Sequence, residues 1–283
     1  GLFDLPEPAR VAVVHSAASY ISNRLPTQER LWGSSETMAV MEVLLNERVP
    51  FAMLTSGDGW WADGSLTLEG LSAYDLVLLP NVQLISDDEV EALLEYVRQG
   101  GVVLQVNDFG TYDLEGAPAA REDLATLRGP GAHTLGQGTW HTLGLWEELG
   151  RYRWNEAEKR NVLPTEQSAD DPAAVALRSA LQAHLEPEVT SDAPITVGIR
   201  RYGDGQRWVL HLVNYDYDPT SDEFVPAGPF EVSLDTGGLA VASARLCDFE
   251  SASVTEIPVA LEGTRAAFTI PSLYAYAVVE LLP

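Results

Sequence analysis

Short apolar runs separated by amphipathic stretches open the chain. Val11-Ala12-Val13-Val14-His15, Phe51-Ala52-Met53-Leu54, Leu76-Val77-Leu78-Leu79 and Val102-Val103-Leu104-Gln105-Val106 are each almost wholly apolar. Runs of that length and character read as strands buried on both faces. Between the first two runs, Ser35 to Asn46 reads as a helix with Met38, Met41 and Leu45 on one face, stopped by Pro50. Ser86 opens the clearest helix. Ser86 and Glu89 have the spacing of a capping box, and Asp87 and Asp88 suit the positive end of the helix dipole. Val90, Leu93, Leu94 and Val97 make a single apolar stripe, and Gly100-Gly101 ends it. Strands alternating with helices predict an α/β domain: a flavodoxin-like parallel sheet with flanking helices. The Gly- and charge-rich stretch 110–170 has no clear period, and Asp171-Pro172 then starts a helix carrying Leu177, Leu181, His184 and Leu185 on one face.

Near Pro187 the pattern changes. Ile195 to Tyr202, Gln206 to Tyr215, Phe230 to Leu234, Val241 to Leu246, Ala266 to Ile270 and Tyr274 to Leu282 read as strands, with Gly203-Asp204-Gly205 as a hairpin turn between the first two. Short strands at regular spacing predict a small antiparallel β-sandwich. The expected organisation is an α/β domain over 1–186 and an all-β domain over 187–283.

Composition narrows the function classes. With 42 Asp and Glu against 17 Lys and Arg, the net charge is −25. Nucleic acid and anionic membranes, which are bound through Lys and Arg, are therefore excluded as expected partners. No apolar run approaches the ~18 residues of a membrane helix. Gly1 to Arg10 lacks the features of a signal peptide, so a cytoplasmic location is expected. One cysteine, Cys247, excludes an intramolecular disulfide and a multi-cysteine metal site. Placed in an apparent strand over 240–248, it reads as a small buried hydrophobe.

Ligands of an open parallel sheet bind beyond the carboxyl ends of its strands. Those ends offer His15-Ser16, Thr55 to Trp61, Asn81, and Asn107-Asp108. The glycines at 57 and 59 fit neither phosphate-binding pattern. Neither Asn107 nor Asp108 is a nucleophile of the Ser or Cys type, and Ser16 lacks the flanking glycines of a nucleophile elbow. The five histidines form no metal-ligand spacing. No catalytic residue, metal site or cofactor is therefore assigned. Candidate binding residues are His15, Asn107, Asp108 and Asp113 by position, with Trp60 and Trp61 as adjacent loop tryptophans suited to a core cap, an interface or a sugar face. The acidic loop 216–223 lacks the order of ligands and the glycine of a calcium loop, so it reads as a plain loop.

Two stretches carry a resemblance. Tyr74 to Asn81, Leu84 to Glu89 and Leu94 to Val103 resemble the flavodoxin-like trimerisation domain of β-galactosidases, which has a class I glutamine amidotransferase-like fold without the amidotransferase nucleophile. Gly110, Asp113 and Gly116 stand where that family has a glycine and an acidic residue, and the likeness covers roughly residues 10–145. His211 to Tyr215 and Ile270 to Val279 are similar to the β-sandwich that closes many glycoside hydrolases. The resemblance implies a non-catalytic accessory region serving subunit or interdomain association. It also implies a glycosidase catalytic barrel as partner, in the same or another chain, and a homo-oligomer, a trimer by family habit. Two other functions fit the residues: a divergent amidotransferase-like hydrolase at the strand ends, and a carbohydrate-binding module using loop or sandwich aromatics.

Overall fold

The structure, a computed structural model, describes residues 9–21, 33–57, 66–144, 153–155, 160–162, 172–201, 207–218 and 220–283. Its contacts divide the chain into two units, 9–43 with 51–185 and 44–50 with 186–283.

In the first unit the elements are β1 (Val11–Ser16), α1 (Ala17–Ile21), α2 (Gly33–Asn46), β2 (Phe51–Ser56), α3 (Leu68–Leu71), β3 (Leu76–Pro80), α4 (Asp87–Arg98), β4 (Val102–Val106), α5 (Glu122–Ala125), β5 (Gly131–Leu135), β6 (Gly138–Leu143), β7 (Arg153–Asn155), β8 (Arg160–Val162) and α6 (Pro172–His184). Six strands form one sheet in the order β2-β1-β3-β4-β6-β5. It is parallel except at β5, which runs antiparallel to β6. The four apolar runs are its parallel strands, and β1 and β3 are buried almost without interruption. On one side, Val90, Leu93, Leu94 and Val97 of α4 pack with Val77, Leu79, Val103 and Trp140. Each such side chain contributes roughly 1.5–3 kcal/mol when fully buried.

The α4 capping box is formed as the sequence predicts, with the Ser86 hydroxyl accepting from the Glu89 backbone and the Glu89 carboxylate accepting from the Ser86 backbone. Glu89 does more than cap. Its carboxylate, 2% exposed, also accepts from the Ser56 hydroxyl at 3.1 Å and the Leu66 amide at 3.2 Å. One side chain thus joins the end of β2 to the start of α4.

Three expectations are corrected. The buried side of α2 is Thr37, Val40 and Leu44 with Ala39 and Val43, whereas Met38 and Leu45 are exposed. The true stripe is one residue out of phase, about 100° round the helix. Strands β5 and β6 fall where the sequence showed no period. Gly138 explains part of this: a Cβ there would lie 2.2 Å from the carbonyl oxygens of Val97 and Gly101. The hairpin approaches α4 too closely for side chains, and Gln137 and Thr139 donate backbone bonds to Arg98 and Gly101. Finally, the strand holding Cys247 starts at Ser243 rather than Ala240, and the thiol is half-buried.

The second unit contains β9 (Val189–Ser191), β10 (Ile195–Arg201), β11 (Trp208–Asn214), β12 (Tyr217–Asp218), β13 (Glu223–Phe224), β14 (Phe230–Asp235), β15 (Ser243–Asp248), β16 (Ser253–Ile257), β17 (Ala260–Glu262), β18 (Arg265–Ile270) and β19 (Tyr276–Leu282). Two antiparallel sheets, β10-β11-β19-β15-β16 and β17-β18-β14-β9, make the sandwich. Alternate residues face the core: Trp208, Leu210 and Leu212 from β11, Val232 and Leu234 from β14, Phe268 and Ile270 from β18, and Val279 and Leu281 from β19. Strands β9, β12, β13, β16 and β17 escaped the sequence reading because they are short or, like β16, exposed along most of their length; β12 and β13 pair across the stretch that reads as a plain loop. The turn at 203–205 lies outside the described residues, while the antiparallel pairing of β10 with β11 is formed.

Candidate functional site

The strand order reverses at β1, which has β2 on one side and β3 on the other. A crevice beyond the carboxyl ends of β1 and β3 is where such a sheet receives ligands. The chain places polar side chains there by a repeated device. Asn81 follows β3 and Asn107 follows β4, and both sit in the left-handed region, with φ 52° and 61°. Asparagine tolerates that conformation better than other side-chain-bearing residues. Each turn leaves an amide pointing at one carboxylate. Asn81 Nδ2 donates to Glu36 Oε1 at 3.2 Å and Asn107 Nδ2 donates to the same oxygen at 3.4 Å. Glu36 belongs to the first turn of α2, where a negative charge favours the helix.

Buried amides hold this arrangement in place. Gln83 Nε2 donates to Asn81 Oδ1 at 2.9 Å, and Gln105 Nε2 donates to the Asn107 carbonyl at 2.7 Å. Gln105 Oε1 accepts from the Trp140 indole at 2.9 Å, and Phe109 packs on that ring at 5.1 Å between centroids. Arg121 fixes the loop after β4. It donates to the carbonyls of Ile85, Gly110 and Tyr112 and to the Asp87 carboxylate.

The residues expected from sequence fall in different places. Asn107 is in the cluster. His15 lies near the end of β1 with its ring 5.8 Å from that of Tyr20, and burial pushes its pKa below the usual histidine range. Neighbouring Ser16 donates to the Leu84 carbonyl at 2.8 Å, and its oxygen accepts from the Ser19 amide. That hydroxyl acts as a clasp between β1 and the chain after β3. Asp108 is exposed. Asp113 closes a turn by accepting from the amides of Glu115 and Ala117. Trp60 and Trp61 lie outside the described residues. Sequence reasoning passed over Glu36, whose signal was only an acid near a helix start, and Gln105, hidden inside an apolar run.

The cluster offers a carboxylate held by two side-chain amides. Among the described residues no three metal-ligating side chains come together, and no helix is long and apolar enough to cross a membrane.

In the second unit the two sequence fragments that carried the sandwich resemblance are one hydrogen-bonded structure. Asn214, fully buried, donates through Nδ2 to the carbonyls of Val225 at 2.8 Å and Tyr274 at 2.7 Å, with a longer bond to Leu273. Its Oδ1 accepts from the Asp216 amide at 3.0 Å.

No family model matches the chain, and no curated protein matches it. Solved structures do match its fold. An α-L-fucosidase isoenzyme 2 from Paenibacillus thiaminolyticus superposes with a TM-score of 0.59 at 15% identity, over 98% of this chain and 49% of that one. A β-galactosidase from Bacillus circulans sp. alkalophilus gives 0.57 at 13% identity, over 98% and 42%. A cold-adapted β-galactosidase from Rahnella sp. R3 gives 0.58 at 12% identity, over 96% and 40%. The chain therefore spans less than half the length of these proteins. What it shares with them is a fold: a mostly parallel α/β sheet followed by antiparallel sheets.

Proposed function

We propose that the chain is a non-catalytic accessory region of a glycoside hydrolase of the β-galactosidase type, serving subunit or interdomain association. The observation that carries this reading is the match of both units, over 96–98% of the chain, to less than half of glycosidase chains. The rest of each such chain is large enough for a catalytic domain. In the strand-end cluster the Glu36 carboxylate accepts from the Asn81 and Asn107 amides, which a structural role explains. Domain limits near 186 and 187 follow from the same reading.

Association has a candidate surface in the first unit. Met38 on α2 and Met53 on the edge strand β2 are 44% and 43% exposed, and Tyr20 is also open to solvent. Large apolar side chains exposed on a helix and on the outermost described strand of a sheet are what an interface covers. A trimer is the form the resemblance implies.

A divergent hydrolase at the strand ends is the second reading, favoured by the convergence of Asn81 and Asn107 on Glu36. One experiment separates the two. The chain is assayed alone, and with the gene product or neighbour that supplies a glycosidase barrel, on nitrophenyl β-galactoside, α-fucoside and simple amides. Inactivity alone with stable association to an active barrel is expected. Turnover by the chain alone that vanishes in Glu36→Gln overturns the accessory reading.

A further inference from the structure

The sandwich unit carries a row of aromatic rings at one place on its surface. Tyr215 and Tyr217 are 66% and 44% exposed. Tyr217 meets Phe224 edge-on at 5.5 Å, and Phe224 meets Tyr274 edge-on at 5.8 Å. Two short paired strands, β12 and β13, carry Tyr217 opposite Phe224. The Asn214 amide ties both ends of this hairpin region to the chain at Tyr274. Ala227 and Leu273 exchange two backbone bonds beside it. The rings of Tyr217, Phe224 and Tyr274 are therefore held in place before any ligand arrives, which removes part of the ordering cost from binding.

Carboxylates alternate with the rings. Asp216, Asp222 and Glu223 are exposed, and Tyr217 donates its hydroxyl to Asp222. No Lys or Arg occurs between Arg207 and Arg245. Each candidate occupant meets this chemistry differently. Phosphate-bearing and other anionic ligands are repelled. A protein hot spot has aromatic anchors, but its core is depleted in Asp and Glu, and here they alternate with the rings. A neutral sugar uses both groups: the apolar C–H face of a pyranose stacks on the electron-rich face of a ring, and its hydroxyls donate to carboxylates.

We infer that the surface formed by Tyr215, Tyr217, Phe224 and Tyr274 with Asp216 and Glu223 binds neutral oligosaccharides. The inference deepens the glycosidase-associated reading by giving the sandwich a role in holding polymeric substrate.

The test is calorimetric titration of the whole chain with β-1,4-galactotetraose, cellotetraose and xylotetraose, and with choline as a cationic probe. Saturable binding of at least one tetrasaccharide is expected. Tyr215→Ala and Glu223→Gln, both at exposed positions, each weaken it by about tenfold, the loss of one stacked ring or one charge-assisted hydrogen bond. Leu261→Ala, on the exposed strand β17 of the other sheet, leaves it unchanged. The inference is overturned by absence of binding to all three sugars, by sugar binding that survives both variants, or by binding of choline alone. Oligosaccharide binding in a chain with no glycosidase partner sinks the accessory reading and leaves this one standing. The converse pair of results does the opposite.

Discussion

Asn214 is the residue on which the sandwich surface depends. Its side chain is fully buried and satisfies carbonyls on two separate segments. Replacing it by alanine leaves those carbonyls unpaired, so Asn214→Ala is expected to lose about 2–4 kcal/mol, read by urea unfolding. The histidines give a second prediction at this scale. Burial lowers the pKa of His15, His141 and His211 from 6.5, with His184 and Arg200 adding to the effect at His141 and His211 respectively. The unfolded chain then binds more protons than the native one as pH falls through about 6.5. Stability is expected to fall across that window and to level off below the folded-state pKa. Denaturation midpoints compared at about pH 7.5 and pH 5.5 show this, and His15→Asn should narrow the difference. An unchanged gap in that variant removes His15 from the account.

Helix α4 and the hairpin β5–β6 show how a sequence both reveals and hides its elements. The cap at Ser86, the acids behind it and the stripe from Val90 to Val97 all point to one helix, and the structure forms it with a reciprocal cap. Local chemistry was enough because the helix faces one core. The hairpin offers no such pattern, since its shape is set by the carbonyls of Val97 and Gly101 a few ångströms from Gly138. Only the folded neighbour explains that glycine. Gly138→Ala should therefore cost more than about 2 kcal/mol, against a few tenths of that for Gly129→Ala, where nothing lies within 4 Å of the added carbon. Equal losses in the two variants contradict the close approach. The strand-end site was half legible for the same reason. Asn107 followed from its place after a strand, whereas Glu36 joins the cluster only through a fold that brings residues 36, 81 and 107 together.

At the scale of the molecule, the exposed apolar side chains of α2 and β2 predict self-association or association with a further domain. Met53→Lys places a charge on the edge strand, a common device against edge pairing. Light scattering on the wild-type chain should show an oligomer that this variant shifts toward monomer, and a wild-type monomer at every concentration tested removes the surface from the proposal. The sandwich has its own consequence in the order in which it can be made. The segment Tyr276–Leu282 is the central strand of its sheet, paired with β11 on one side and β15 on the other. Trp208, opposite Arg201 of β10 on one side, thus waits for Leu281 to be synthesised before its other side is paired. During translation β10, β11, β15 and β16 leave the ribosome with a gap at the middle of their sheet, and pairings so distant in sequence form slowly. Nascent chains halted before Tyr276 should remain protease-sensitive from Ile195 onward, and release of the last seven-residue strand should convert the whole unit at once.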